Sequence, residues 1–414
     1  MASSAATSSL RRAIIVCALG YFIDVFDIQL FVVLRVPSLT ELGVPADRMA
    51  VIGGYILNAQ MLGMIMGAFL WGWLGDRFGR IKALYGSILM YSIGTLACSM
   101  VHNLAAYAWL RWFTGFGLAG ETGVAVTLIA ELMSARRRDL GIAYVAAFGG
   151  LGACSAVVIA MFEPWRITYV IAGVLGFLLF VLRVRLLEPT LFLKTIKQKT
   201  AHNSWRVLSQ SKQAFAFLRC VVMGLPLTYC WFLLNFFSAE LSRYVLRSGE
   251  VFNQKTSLMV FYIGVAIGTI ACGTLSYKFG RRRKALAIIL VIGCVVFPFY
   301  LLVGPHLKFT DVQFYIISCL VGISGGGWAL FNGATAESFG TNIRATTTVL
   351  MANFLRAFSI PMIFAFQFLQ SAMSFTNAAA AIGVVLYIGG FWALSGLRET
   401  HGLDLDYVEA LEKP

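Results

Sequence analysis

Five charged residues stand inside stretches otherwise apolar enough to lie in a bilayer, and they define the chemistry open to this chain. Asp24 and Asp27, three residues apart, share one face of a helix. Arg111 and Glu121 share a later stretch, and Arg356 stands alone in one near the end. A charge at mid-membrane costs at least about 2.5 kcal/mol even on lenient scales, so each must face water, a partner or another of the set. Desolvation makes a carboxylate hold its proton and a neighbouring arginine makes it let go. An acid whose arginine partner changes is therefore a proton-coupling device. Arg356, three residues after Asn353 and on its helix face, has the fork that binds carboxylates, but an internal ion pair with one of the acids stands equally open.

The elements that position these residues follow from composition. The 414-residue chain is 59% hydrophobic and 13% charged, which leaves too little polar surface for a soluble globule. Its mean hydropathy is +0.79. Apolar runs of about twenty residues separated by short polar turns predict an all-α integral membrane protein, not a barrel of alternating strands. Twelve spans are expected, at 13–36, 50–74, 83–101, 105–133, 140–161, 165–186, 215–239, 254–277, 285–303, 312–336, 344–370 and 374–397.

The net charge of +14 raises the question of nucleic acid, and its distribution answers it. Of 33 lysines and arginines, 24 fall on the side of the termini and the even-numbered connections, seven on the other side and two within spans. That is the positive-inside pattern with both termini cytoplasmic, and it leaves no basic face for nucleic acid. The eight cysteines lie in or beside apolar helices without metal or redox spacing, and the four histidines lie at helix ends. No metal and no cofactor is expected, so acids must carry any proton chemistry.

The chain also repeats itself. Gly72-Trp73-Leu74-Gly75-Asp76-Arg77-Phe78-Gly79-Arg80, between spans two and three, aligns with Gly273-Thr274-Leu275-Ser276-Tyr277-Lys278-Phe279-Gly280-Arg281, with Tyr277 in place of Asp76. Ala130-Glu131 with Arg138 seven residues beyond the acid is echoed by Ala336-Glu337 with Arg344. The organisation predicted is a tail at 1–12, a six-helix bundle at 13–186, a basic linker on the membrane surface at 187–214, a second bundle at 215–397 and a tail at 398–414.

Twelve spans in two pseudo-symmetric halves, with G-x-x-x-D-R-x-G-R between spans two and three, resemble the major facilitator superfamily over nearly the whole chain. Glu188-Pro189 after span six and Arg398-Glu399-Thr400-His401-Gly402 after span twelve are similar to further marks of that family. An acid pair in span one followed by R-x-x-x-G-x-G-x-x-G-E in span four looks like its proton-coupled symporters of organic acids and related metabolites. The G-x-x-x-G-P of drug antiporters is missing from span five, and the paired glutamines of sugar porters are missing from span seven.

The resemblance implies alternating access: two halves rock about a site near the midplane. It assigns Asp76, Arg77, Arg80, Glu131, Arg138, Lys278, Arg281, Glu337 and Arg344 to a cytoplasmic gate of salt bridges and helix-end contacts. Asp27 is the expected proton carrier, Asp24 and Glu121 supporting acids, and Arg111 the partner that tunes them; a permanent structural pairing is the alternative. Arg356 and Asn353, with Tyr55, Asn58, Asn235, Trp328 and Asn332, are the candidate substrate-binding residues, with helix packing the alternative for each. The function implied is secondary active transport, as proton symport importing a small organic anion such as a carboxylate, a polycarboxylate or a siderophore. An exporter or uncoupled facilitator of a sugar-like metabolite is the second reading and a non-transporting receptor the third. An enzyme is not expected, since no nucleophile-and-base arrangement or nucleotide loop is present. The expected partners are substrate, protons and the lipid bilayer, and the expected setting is a monomer in the bacterial inner membrane.

Overall fold

A computed structural model describes residues 2–78, 80–121, 138–186, 210–250, 252–340, 344–397 and 399–400. Within them the first half contributes α1 (Ala2–Glu41), α2 (Met49–Phe78), α3 (Arg80–Cys98), α4 (Leu104–Leu118), α5 (Arg138–Phe162) and α6 (Trp165–Leu186). The second half contributes α7 (Ser211–Tyr229), α8 (Ser238–Val245), α9 (Gln254–Phe279), α10 (Arg282–Pro298), α11 (Gly304–Leu307), α12 (Asp311–Gly325), α13 (Trp328–Glu337), α14 (Arg344–Ala357), α15 (Ser359–Leu369) and α16 (Phe375–Ser395). Among the described residues, nine helical stretches are long and apolar enough to cross a membrane, and Ala83–Cys98 is a shorter apolar helix. The other expected spans are α1, with its buried charges, and α4, whose continuation past residue 121 lies outside the described residues.

The two halves use the same packing device. A side chain at Gly63 of α2 would run into the Trp112 carbonyl of α4, and one at Gly264 of α9 into the Cys319 carbonyl of α12. Spans two and four, and their counterparts eight and ten, are thus locked backbone to backbone, which only glycine allows. Each half is a unit because its helices cannot slide apart without losing these contacts.

Several helices of the second half are interrupted. Pro226 in α7 removes a backbone donor, and a π-helical turn at Cys230–Asn235 follows. Another π turn, Phe299–Val303, follows Pro298. Between α12 and α13 the run Gly325-Gly326-Gly327 breaks the helix, with the Gly326 carbonyl accepting from Thr269 Oγ1 at 3.0 Å. The halves meet through α2 against α14 and α15 and through α5 against α9 and α13, while α1 lies at the join. In the repeated loop, Gly280 closes α9 at φ +59°, the left-handed conformation glycine tolerates.

The connections 42–48, 99–103, 163–164, 246–250 with 252–253, 308–310 and 370–374 gather at one end, which we call the sparse end for its few basic residues. Arg166 there reaches the Ser99 carbonyl at 2.7 Å and Glu41 at 3.0 Å, and the Arg247 amide donates to the Phe309 carbonyl at 2.9 Å. Glu41 also accepts from the Trp165 indole at 2.5 Å, and these two donors hold its carboxyl below the ordinary range. The opposite, basic end carries the turn at Gly280–Arg281, flanked by Lys278 and by Arg282, Arg283 and Lys284.

Candidate functional site

Each of the three mid-depth acids has an arginine. Asp27 Oδ1 lies 3.6 Å from Arg111 Nη2, and its other oxygen accepts from Thr95 Oγ1 at 2.5 Å. Glu121 Oε1 accepts from Arg183 Nη2 at 2.6 Å. Asp24 Oδ2 lies 3.6 Å from Arg356 Nη2. All six side chains are buried. The set is charge-balanced, the condition under which ions persist away from water.

The three pairs differ in what they join. Asp27, Thr95 and Arg111 belong to spans one, three and four, and the Arg111 guanidinium lies 5.1 Å from the Tyr169 ring of span six. Glu121 and Arg183 bind span four to span six. Both pairs lie wholly in the first half. Asp24 and Arg356 join span one to span eleven and so bridge the halves.

Arg356 also faces a small cavity at that join, with a volume of about 40 Å³. Tyr21, Gln29, Trp231, Phe232 and Trp328 line it with apolar residues of spans one, five and eight. The Arg356 guanidinium lies 5.9 Å from the Trp328 ring, and the Trp231 indole donates to the Gly325 carbonyl at 3.2 Å. Gln29 accepts from Tyr262 of span eight at 2.6 Å, and Asn235 donates to that hydroxyl at 3.4 Å. A single cation in an aromatic enclosure suits a flat ring bearing one negative group.

The other predicted site residues scatter. Asn353 donates to the Val349 carbonyl at 2.8 Å and across the join to the Ala119 carbonyl at 3.3 Å, so it fastens helices. Tyr55 is 53% exposed, with its ring 6.4 Å from that of Phe364. Asn58 and Asn332 are buried, with side-chain amides that find no hydrogen-bond partner among the described residues. Neither they nor Tyr55 line the cavity. Arg111 pairs with Asp27 alone, while Glu121 has Arg183, which by position counts with the basic end.

A ligand-free feature without a signal in the sequence closes the sparse end. Arg35 on α1 makes two parallel hydrogen bonds to Glu240 on α8, at 2.9 and 3.1 Å, and stacks 4.6 Å from the Phe236 ring. Arg35 is fully buried although it lies at the end of its span.

The profile of the Major Facilitator Superfamily matches residues 17–363. The chain belongs to this superfamily. The match takes in spans one to ten and most of span eleven, including every mid-depth pair described above. A putative niacin/nicotinamide transporter, NiaP, of Bacillus subtilis (strain 168) is 26% identical over 84% of this chain and 86% of its own. A probable 4-methylmuconolactone transporter of Cupriavidus pinatubonensis is 23% identical over 95% of this chain and 91% of its own. The solved structure of the proton:xylose symporter XylE bound to 6-bromo-6-deoxy-D-glucose shares the fold, with a TM-score of 0.69, 97% of this chain and 98% of that one covered, and 15% identity. The chain is a multi-pass membrane transporter of the superfamily, for small organic substrates.

The residues expected to form a cytoplasmic gate are described in part. Asp76, Arg77, Arg80, Glu131, Arg138 and Arg344 have side chains outside the described residues. Lys278 and Arg281 are exposed. Glu337 is buried and makes a two-pronged ion pair with Arg282 at the start of α10. The Arg282 guanidinium also donates to Thr400 at 2.9 Å, while its backbone amide donates to Glu399 at 3.0 Å. The Glu399-Thr400 pair after span twelve thus caps span nine from within the second half.

Proposed function

We propose that this transporter is a proton-coupled symporter that imports a small ring carboxylate, with Arg356 as the group that binds the substrate's negative charge. The observation that carries the reading is the position of Arg356: a buried guanidinium on the wall of the cavity, beside Trp328, in a lining that also holds Tyr21 and Trp231. A guanidinium fork meets a carboxylate with two parallel hydrogen bonds, and aromatic walls supply the apolar area that a ring can bury. The names of the relatives, a niacin/nicotinamide transporter and a 4-methylmuconolactone transporter, agree with small ring compounds.

Coupling rests on electroneutrality. A carboxylate entering the balanced set of three acids and three arginines adds a charge the site cannot leave uncompensated, and one proton on one acid restores the balance. The abundance of lysine and arginine at the basic end supports a cytoplasmic position for it and for both termini. The sparse end then faces outward, and Arg35–Glu240 acts as an outer lock that parts when the site opens to that side. The protein works as a monomer in this reading, since the cavity is complete within one chain.

The test is uptake into liposomes under an imposed pH gradient, with a panel of ring carboxylates, sugars and polycarboxylates. The reading expects accumulation of a ring carboxylate when the outside is acidic. Uptake that ignores the gradient would establish a facilitator, and uptake of uncharged sugars alone would remove Arg356 from its role.

A further inference from the structure

Asp24 and Asp27 sit one helical turn apart and are anchored in opposite ways. Asp27 is held by Thr95 and Arg111, both of its own half, and rocking one half against the other leaves that arrangement whole. Asp24 is held by Arg356, which belongs to the opposite half and also forms the cavity wall. We propose that Asp24 is the residue that couples proton to substrate: Asp24 and the substrate carboxylate are alternative ligands of Arg356, and binding of the anion sends one proton onto Asp24. This inference rests on the anion-symport reading and adds to it the coupling residue and the stoichiometry.

The step balances. The Arg356 guanidinium exchanges one carboxylate for another and keeps its own protons. Asp24, displaced, would be a buried charge without its counter-ion, which costs several kcal/mol. It takes one proton from the aqueous solution, where a hydronium ion gives up one O–H bond and becomes water as the carboxyl O–H bond forms, and returns it when the anion leaves and the pair re-forms. The empty site with its pair intact and the site holding anion and proton carry the same net charge. The half-loaded forms do not, and they are the ones penalised during the rocking step. The pair's 3.6 Å spacing equals that of Asp27 and Arg111, so what sets Asp24 apart is that its arginine belongs to the other half and to the cavity wall.

Among the described residues, the charged and titratable groups around Asp24 come from several elements. Tyr21 and Asp27 share its helix, Tyr91 comes from span three and Glu121 from span four. Arg111 of span four and Arg183 of span six are engaged with Asp27 and Glu121. Span five meets α1 through Gly149 against Tyr21 and Gly152 against Phe22, and span two meets it through Gly53 against Arg35.

The experiment is a proton count. Purified protein in weak buffer with an indicator dye is titrated with nicotinate and with benzoate, using nicotinamide and benzamide as uncharged controls. The wild type is expected to take up about one proton per carboxylate bound, with affinity falling up to tenfold per pH unit on the alkaline side of the Asp24 titration. The amides should bring no proton. Asp24→Asn should bind carboxylate without proton uptake and without pH dependence. Uptake that persists undiminished in Asp24→Asn overturns the assignment. If that variant does not fold, the wild type still decides, since carboxylate binding with no proton uptake and no pH slope removes the exchange. Failure of both carboxylates to bind the wild type at any pH takes down the anion reading itself, an outcome distinct from binding without a proton.

Discussion

The two halves of this transporter divide the labour unequally. The first half supplies Asp24, Asp27, Arg111, Glu121 and Arg183 to the buried ion pairs, four of them on helices and Glu121 in the turn that ends α4. Among the described residues the second half supplies Arg356 at mid-depth, and its helices carry two π turns and the glycine run at Gly325–Gly327. A network of ions in low dielectric needs fixed geometry, because each misplaced charge costs several kcal/mol. A wall that closes over a substrate needs hinges, which interrupted helices provide. The difference points to a rigid half that holds the charges and a deformable half that offers a single cation to the substrate.

Breaking the one contact between charge and cavity should have the largest effect. Arg356→Gln removes a buried charged partner, a loss of about 2–3 kcal/mol, or roughly 30- to 150-fold in carboxylate affinity. Equilibrium binding of nicotinate measures it. Arg356→Lys should recover only part, since an ammonium cannot make the parallel pair of hydrogen bonds.

Breaking a pair inside the rigid half should strike stability more than coupling. Asp27→Asn leaves Arg111 without its acid, and a cost of about 3 kcal/mol is expected from one-sided loss of a buried pair. Thermal unfolding in detergent should register a clear fall. A variant as stable as the wild type, yet devoid of gradient-driven uptake, would instead make Asp27 the proton carrier and weaken the division between the halves.

A smaller effect is expected at the outer lock. Glu240→Gln keeps the shape but loses the charge-assisted pair with Arg35, and a change of about 1.4 kcal/mol between access states shifts their ratio tenfold. Labelling of cysteines introduced along the cavity from the sparse end should accelerate accordingly. The weakest effect belongs to the repeated loop. Tyr277→Phe should leave the access-state ratio nearly unchanged, whereas Asp76→Asn should move it; equal responses would deny the asymmetry between the two copies.

Much of the fold was legible because its determinants are local. Apolar runs of spanning length, the loop at Gly72–Arg80 with its copy at Gly273–Arg281, and the bias of lysine and arginine are all properties of short segments. The mid-depth charges were legible too, because the cost of burying them marks each one without reference to any other. Which acid meets which arginine was not, since that depends on the rotation of helices far apart in sequence. Asp24 and Arg356 stand near opposite ends of the chain, and Arg183 looked like one more basic residue at a span's edge. Arg35 gave no signal because a span's end is where a solvated arginine is ordinary. Tyr55 shows the same dependence: its 53% exposure, its contact with Phe364 and its place outside the cavity lining follow from helix rotation, which no short segment specifies.

The central claim, that one carboxylate travels with one proton, is tested most directly by separating the two driving forces. Liposomes holding the purified protein are given either a pH gradient without a membrane potential or a potential without a pH gradient, and uptake of a ring carboxylate is followed. Paired transport of one negative charge and one proton carries no net charge, so the pH gradient alone should drive accumulation and the potential alone should not. Accumulation driven by the potential, or none under the pH gradient despite facilitated exchange, would contradict the account.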